Sequence, residues 1–239
     1  MTRRFIVQLE IWSDYACPYC YIGKRFLDQA LAEFEHAKDV QITFKAFELD
    51  PTASPVVVNT TQQRIEYKYR KSPEGARDMI QQIMMLGKRV GLDMRYDTVR
   101  YTNTFDAHRL AKFAESKGLA DTMSERLFLA YFVENRELAN HAVLAEIAVE
   151  LGLDYNETKA MLQSDVFAEQ SRADEAQAHG MGIHGVPFFV FDEGLGLSGA
   201  QPKASLLQAL KTTWSKAHSA ETDRAPVCGE EGCSVPLAG

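Results

Sequence analysis

The chain has 239 residues, 46% of them hydrophobic, with a formal net charge of −7 and a pI of about 5.4. This size allows one large core, or one domain that carries a substantial insertion. The acidic balance argues against nucleic acid as a main partner, and without a run of about eighteen apolar residues we expect no membrane span. The four cysteines form two close pairs at opposite ends of the chain, unlike a disulfide scaffold.

The first predicted elements are a strand, a short loop and a helix. An apolar run at Phe5–Ile11 predicts the strand, and apolar residues at helical spacing over 22–34 predict the helix. Cys17 lies at the helix entrance, and Pro18 suits the first helical position. Free backbone N–H groups and the helix dipole there favour a thiolate at Cys17. Cys20, one turn further, is on the same side and can form a disulfide with it.

Three interpretations of this cysteine pair compete. It is a redox dithiol, half of a zinc site, or two structural thiols. The preceding strand, the following helix and the position of Pro18 favour the redox dithiol. The N-terminus lacks a signal-peptide core and a small-residue cleavage site, and the strand begins almost at residue 1. We therefore expect a cytoplasmic protein, in which a disulfide is more often catalytic than structural.

Glu10 lies on the strand that leads to the dithiol. A partly buried carboxylate at this position is a candidate proton acceptor for Cys20. The alternative is a glutamate near the strand end that is simply solvated.

The middle of the chain divides into a second strand and a long helical segment. Alternating apolar residues over 40–47 predict a strand that completes a βαβ unit with a right-handed crossover. Residues 51–60 have the composition of a loop. Residues 61–182 contain six or seven predicted helices, which form an inserted all-α subdomain or a layer over the sheet.

The C-terminal part begins with a predicted hairpin over 186–199, followed by a helix from Gln201. Residues 219–239 are predicted to be an irregular tail. Residues 1–60 and 183–218 would thus form one domain around the inserted subdomain. Pro187 stands at the start of a strand, where proline is tolerated. It is either an ordinary trans proline or part of the dithiol site.

Four segments carry a family resemblance: Cys17-Pro18-Tyr19-Cys20, Gly185-Val186-Pro187, Phe47–Pro51 and Asn103–Arg109. With them the chain resembles the thioredoxin-fold superfamily, in the DsbA-like group that carries a helical insertion between its βαβ and ββα halves. It is most similar to the cytosolic FrnE-type subfamily. The resemblance implies an α/β (α+β) thioredoxin fold and a cis Val186–Pro187 bond beside the cysteines.

The resemblance also implies a function. We expect a thiol–disulfide oxidoreductase, of the reductase or isomerase type, that acts on proteins with thiols or disulfides through Cys17 and Cys20. Val186 and Pro187 would form the substrate-binding platform, with backbone N–H and C=O groups offered to an extended segment. No metal or organic cofactor is required, glutathione is a candidate co-substrate, and the protein is expected to be a monomer or a homodimer.

The C-terminal pair, Cys228 and Cys233, matches a Cys-x4-Cys pair of the FrnE-type subfamily. We favour a second redox pair that forms its own disulfide and exchanges with Cys17. Stray thiols, or a zinc site built from both cysteine pairs, are the alternatives.

Two rival functions remain open. The thioredoxin fold with a helical insertion also occurs in glutathione-dependent isomerases and transferases of small molecules, but these carry serine at the position of Cys17. The other rival is a redox-controlled holdase chaperone.

The sequence departs from the family pattern at Glu10. The buried acid of thioredoxin-like strands usually lies six residues before the first cysteine, whereas Glu10 lies seven residues before Cys17. His108 is a candidate wall of the cleft, and His184 is expected at the surface.

Overall fold

The computed structural model describes residues 6–222, 227–229 and 232–234, with side chains for 6–192 and 194–217. A four-stranded sheet is formed by β1 (Val7–Ser13), β2 (Val40–Ala46), β3 (Phe188–Phe191) and β4 (Leu195–Ser198). The strands lie in the order β2-β1-β3-β4. β1 is parallel to β2, whereas β3 is antiparallel to both β1 and β4. The predicted α/β fold is confirmed.

Nine helices occur in the described part of the chain, and seven of them, α2 to α8, lie between β2 and β3 as predicted. The helices are α1 (Pro18–Ala32), α2 (Thr61–Tyr69), α3 (Pro73–Arg89), α4 (Phe105–Ser116), α5 (Ala120–Phe132), α6 (His141–Glu150), α7 (Tyr155–Leu162), α8 (Ala168–Gly180) and α9 (Lys203–Thr222). Among the helices described, none has both the length and the apolar character needed to cross a membrane.

Side-chain caps determine where several of these helices begin. Thr60 Oγ1 accepts a hydrogen bond from the Gln63 N–H at 3.2 Å, and Gln63 Oε1 accepts one from the Thr60 N–H at 2.9 Å. This reciprocal capping box satisfies backbone donors that the helix itself leaves free. Ser72 caps α3 in a similar way, accepting from the Gly75 N–H at 3.1 Å. The start of α2 is therefore fixed directly after the 51–60 loop.

The alternation of side chains along β1 explains how the sheet is covered. Leu9 and Ile11 are buried on one face, in a cluster with residues of α1 and α9 such as Leu27 and Leu210. Trp12 points to the opposite face and packs with Ala178 of α8. Because strand side chains alternate between faces, this one strand contacts helices on both sides of the sheet.

A buried acidic residue fastens the helical insertion to the sheet. The Asp174 carboxylate of α8 accepts a hydrogen bond from the Ala46 N–H at 3.0 Å and lies 2.7 Å from Lys112 Nζ and 3.2 Å from Lys45 Nζ. The Asp174 carbonyl accepts a hydrogen bond from Trp12 Nε1 at 2.9 Å. These bonds position α8 over β1 and β2, so the insertion is a layer on the sheet.

The C-terminal segment differs from the irregular tail predicted over 219–239. Helix α9 continues to Thr222, since no glycine or proline interrupts it, and two short antiparallel strands follow. They are β5 (Val227–Gly229) and β6 (Gly232–Ser234), joined by two residues between paired glycines.

Candidate active site

Cys17 occupies the position immediately before α1. Its backbone is extended, with φ −95° and ψ 112°, and Pro18 is the first helical residue. The Cys17 N–H donates to the Asp14 carbonyl at 3.0 Å, and the Cys20 N–H donates to the Cys17 carbonyl at 3.1 Å. Both cysteines are buried free thiols, 4% and 3% exposed. The sulfur of Cys17 therefore lies at the helix N-terminus, where anions are stabilised.

The loop before β3 lies against Cys17. The Val186–Pro187 peptide bond is cis. Cys17 Sγ lies 3.6 Å from the Val186 carbonyl oxygen, although the two residues are far apart in sequence. Gly23 of α1 allows this approach, since a Cβ at that position would lie 3.1 Å from Pro187 Cγ. The structure thus brings together Cys17, Cys20, Val186 and Pro187.

The Cys20 thiol is buried in the first turn of α1. Burial raises the pKa of Cys20 well above its ordinary value, and the hydrogen bond and charge of Cys17 raise it further. The Ser13 hydroxyl and the Asp14 backbone oppose this shift. Cys20 is therefore a neutral thiol near pH 7, and it must lose a proton before it can act as a nucleophile.

Asp14 is a buried carboxylate that the sequence reasoning missed as a site residue. Its Oδ1 accepts from the Ala16 N–H at 3.0 Å and its Oδ2 accepts from the Leu49 N–H at 2.7 Å. Burial raises the pKa of Asp14, while bonds from Ala16, Leu49 and the Thr104 side chain act against the increase. The sequence signal that could have identified Asp14 is its position, three residues before Cys17 and directly after an apolar strand.

His108 lies behind the active-site loop. Its Nε2 is 3.9 Å from Asp14 Oδ1, and its ring centroid is 4.9 Å from that of Tyr15. Burial lowers the pKa of His108 to about 3, so the ring is neutral. The expectation that it forms a wall of the cleft is wrong, because it is packed in the interior. Arg109 donates to the Met161 carbonyl in the last turn of α7 and to the Val166 carbonyl beyond this helix.

Glu10 is held by a cation on the neighbouring strand. Its carboxylate lies 3.1 Å from Lys45 Nζ, and the side chain is about one-third exposed at 32%. The polar groups that act on the Cys20 sulfur include Ser13 and Asp14. The role of Glu10 as a proton acceptor stays a prediction. His184 is exposed, as expected.

Two neighbouring cavities lie on this side of the molecule, and Cys17 lines the smaller one. The smaller one, of about 60 Å³, is lined by residues of α1, α2 and α3 and of the turn after α3, including Cys17, Tyr19, Arg64, Tyr69, Met79 and Tyr96. The larger one, of about 650 Å³, lies between the 49–59 segment, α2 and Tyr101. The helical insertion therefore provides most of the surface around the reactive sulfur.

The second cysteine pair can be placed only by its backbone. Cys228 of β5 lies directly opposite Cys233 of β6 in the antiparallel register. The side chains of both lie outside the described residues, so a second redox pair and a shared zinc site both stay predictions. Within the described side chains, no group of three or more His, Cys, Asp and Glu residues is arranged to hold a metal ion.

These features define a thioredoxin-fold protein. They are the four-stranded sheet with its helical insertion, the dithiol at the start of α1 and the proline loop beside it. A model of the DSBA-like thioredoxin domain matches residues 8–211, which include the sheet and the insertion. The chain belongs to this family of DsbA-like thiol–disulfide oxidoreductases.

Three known proteins illustrate the likeness. A probable DsbA oxidoreductase from Streptomyces coelicolor is 35% identical, with a TM-score of 0.83 over 97% of this chain and 100% of its own. The uncharacterized protein YwbO of Bacillus subtilis (strain 168) is 25% identical over 191 residues, 78% of this chain and 88% of its own. The cytosolic disulfide reductase DsbM of Pseudomonas aeruginosa shares the fold at 20% identity, with a TM-score of 0.59 over 87% of this chain and 98% of its own.

Gly23→Ala tests the contact between α1 and the proline loop. The new Cβ would lie 3.1 Å from Pro187 Cγ and 3.4 Å from Phe189 Cζ, so the loop must move away from Cys17. We expect kcat/KM for reduction of a peptide disulfide to fall about tenfold, because small displacements of reacting groups are costly. Gly180→Ala is the matched control, since nothing lies within 4 Å of its Cβ. Equal kinetics for both variants would contradict the proposed contact.

The buried neutral His108 predicts a pH dependence of stability. Its pKa of about 3 in the folded chain lies below the value of about 6.5 in an unfolded chain, so unfolding takes up a proton between these values. Stability therefore falls as pH decreases through this range. From pH 6 to pH 4 we expect wild type to lose about 2 kcal/mol more than His108→Gln in urea unfolding.

The difference between wild type and His108→Gln isolates the contribution of His108. The raised pKa of Asp14 makes stability increase as pH falls, but it does so in both proteins. His184→Gln removes an exposed histidine and should keep the wild-type slope. The same slope in wild type and His108→Gln would show that His108 is not buried as a neutral ring.

Proposed function

We propose that this protein is a thiol–disulfide oxidoreductase, of the reductase or isomerase type, that acts on protein substrates through Cys17 and Cys20. The observation that supports this most is the position of Cys17 Sγ, at the N-terminus of α1 and 3.6 Å from the Val186 carbonyl. A helix N-terminus is a favourable place for an anion, and the neighbouring loop backbone can hold a polypeptide.

The proposed reaction uses both sulfurs in order. The Cys17 thiolate attacks one sulfur of a substrate disulfide, and the other substrate sulfur leaves as a thiolate. A mixed disulfide then joins Cys17 to the substrate. Cys20 loses its proton and attacks Cys17 Sγ, which releases the second substrate thiol and leaves a Cys17–Cys20 disulfide. Two electrons pass from the dithiol to the substrate. If another thiolate of the substrate instead attacks the substrate sulfur of the mixed disulfide, Cys17 leaves as a thiolate and the substrate disulfide is isomerised.

The two cysteines have different environments that fit these roles. The raised pKa of Cys20 keeps it protonated while Cys17 reacts. When a mixed disulfide forms, the Cys17 thiolate charge is lost, and with it one cause of the raised pKa of Cys20. Ser13 then favours the thiolate of Cys20 by its hydrogen bond. Glu10 is the proposed proton acceptor, through a path that involves solvent.

The substrate-binding platform is the backbone of Val186 beside Pro187. An extended substrate segment that pairs with this backbone would lie across Cys17 with its disulfide in reach. Strand addition of this kind depends on main-chain hydrogen bonds and accepts many sequences. The same platform suits a protein substrate better than a compact small molecule.

The finer assignments belong to the same proposal. The protein is a cytoplasmic member of the FrnE-type subfamily, and Cys228 and Cys233 form a second redox pair that exchanges with Cys17. The electrons reside in protein sulfur, so the reaction needs no metal or organic cofactor. An external thiol, with glutathione as a candidate, returns the Cys17–Cys20 disulfide to the dithiol.

Serine substitutions of the two cysteines separate their roles. Cys17→Ser should abolish reduction of a disulfide-bonded peptide, because the attacking sulfur is gone. Cys20→Ser should form the mixed disulfide and accumulate it, since the resolving thiol is missing. Mass spectrometry after acid quenching measures the adduct. Retained turnover in Cys17→Ser would contradict the assignment of Cys17 as the nucleophile. Glutathione-dependent turnover that survives in Cys20→Ser would favour a glutathione-dependent isomerase or transferase of small molecules.

A redox titration against glutathione determines the direction of the reaction. We expect one reversible two-electron transition for Cys17–Cys20, read by thiol alkylation in Cys228→Ser/Cys233→Ser. A potential near about −270 mV indicates a reductase, and one near about −180 mV indicates an isomerase. The absence of a reversible disulfide would contradict dithiol chemistry. A different apparent potential in the full chain would support exchange with the C-terminal pair.

A further inference from the structure

The larger cavity is a cleft next to the smaller cavity that Cys17 lines. Its volume, about 650 Å³, is in the range of cavities that bind small ligands or a few residues of a peptide. It shares Leu49, Arg64 and Lys68 with the smaller cavity that contains Cys17. A group bound in this cleft would therefore lie next to the cavity in which the sulfur reacts.

The cleft carries positive charge in a chain whose net charge is −7. Arg64 and Lys68 are four residues apart on α2, which places them on one helix face. Among the described side chains, neither has a carboxylate within ion-pair distance. Arg64 stacks on the Tyr101 ring, 3.1 Å from its centroid, which fixes the guanidinium at the cleft wall.

One acidic residue also lines the cleft. Asp50 Oδ1 accepts hydrogen bonds from the Thr52 N–H at 3.1 Å and from Thr52 Oγ1 at 2.7 Å. This carboxylate is thus engaged by its own loop, and among the described side chains it forms no ion pair with Arg64 or Lys68, which line the same cleft. The cleft retains a net attraction for an anion.

The rim of the cleft is apolar and exposed. Val58 is 66% exposed and Tyr67 is 91% exposed, and both line the cavity. Large apolar side chains at the edge of a charged cleft suit a polypeptide, which offers both side-chain contacts and carboxylates. A small anion would leave these side chains uncovered.

We infer that this cleft binds a segment of the substrate protein that carries Asp or Glu close to the reacting cysteine. The carboxylates pair with Arg64 and Lys68, and neighbouring side chains pack on Val58 and Tyr67. The inference rests on the proposed function, because it takes Cys17 as the atom that reacts. It makes α2 a determinant of specificity that stands apart from the sulfur chemistry.

Three disulfide-bonded peptides test the inference, identical except for Glu, Gln or Lys on both sides of one cysteine. We expect wild-type kcat/KM for the Glu peptide to exceed that for the Lys peptide by about threefold to tenfold, as for two exposed ion pairs. The preference should weaken at high salt. In Arg64→Gln/Lys68→Gln it should fall below about twofold. Lys88→Gln/Arg89→Gln, which removes two exposed charges outside both cavities, should keep the preference.

Binding measured without chemistry separates this inference from the proposed function. The same peptides with serine for cysteine are titrated into the full chain, by fluorescence anisotropy. Preferential binding of the Glu peptide that is lost in Arg64→Gln/Lys68→Gln supports the cleft even if no peptide disulfide is turned over. Equal binding and equal kcat/KM for all three peptides overturn it. Oxidised glutathione is tested in the same way. If Arg64→Gln/Lys68→Gln weakens only the reaction with oxidised glutathione and leaves all three peptides unaffected, the inference is overturned in favour of a small anionic disulfide as the ligand of the cleft.

Discussion

The hydrogen bonds of the buried Asp14 carboxylate hold the site together. They join the loop before Cys17 to the segment after β2 at Leu49 and, through Thr104, to the start of α4. The Asp14 carbonyl also accepts from the Cys17 N–H and so helps to place Cys17 before α1. Losing this carboxylate would leave buried N–H donors unpaired, which costs about 1–3 kcal/mol each. The geometry of the sulfur thus depends on a residue that need not take part in the chemistry.

The helical insertion is part of the site and does more than extend the sheet. Cys17 and Cys20 belong to the hydrophobic cluster of the insertion, with Ile65 and Tyr131, and the sheet has a separate cluster. Helix α2 lines both cavities and α3 lines the smaller one, which contains Cys17, whereas Asp174 of α8 binds the backbone of β2. A change in the insertion can therefore alter substrate choice while the strand, loop and helix of the dithiol remain the same.

Most secondary structure follows from local signals in the sequence. The period of apolar residues predicts six or seven helices over 61–182, and the structure has seven α-helices there. The C-terminal strands were missed, since three-residue strands carry almost no periodicity. His108 was misplaced for a different reason: a histidine early in an amphipathic helix has the same local pattern whether it faces a cleft or the interior.

The sequence by itself determined that Cys17 precedes a helix, that Cys20 follows one turn later, and that a family pattern links both to Pro187. These are properties of neighbouring residues and of recognisable motifs. Only the tertiary structure decided that the Val186 carbonyl lies 3.6 Å from Cys17 Sγ, and that Arg64 lines the same cavity as Cys17. Such contacts join segments far apart in the chain, and their distances depend on how the sheet and the insertion pack together.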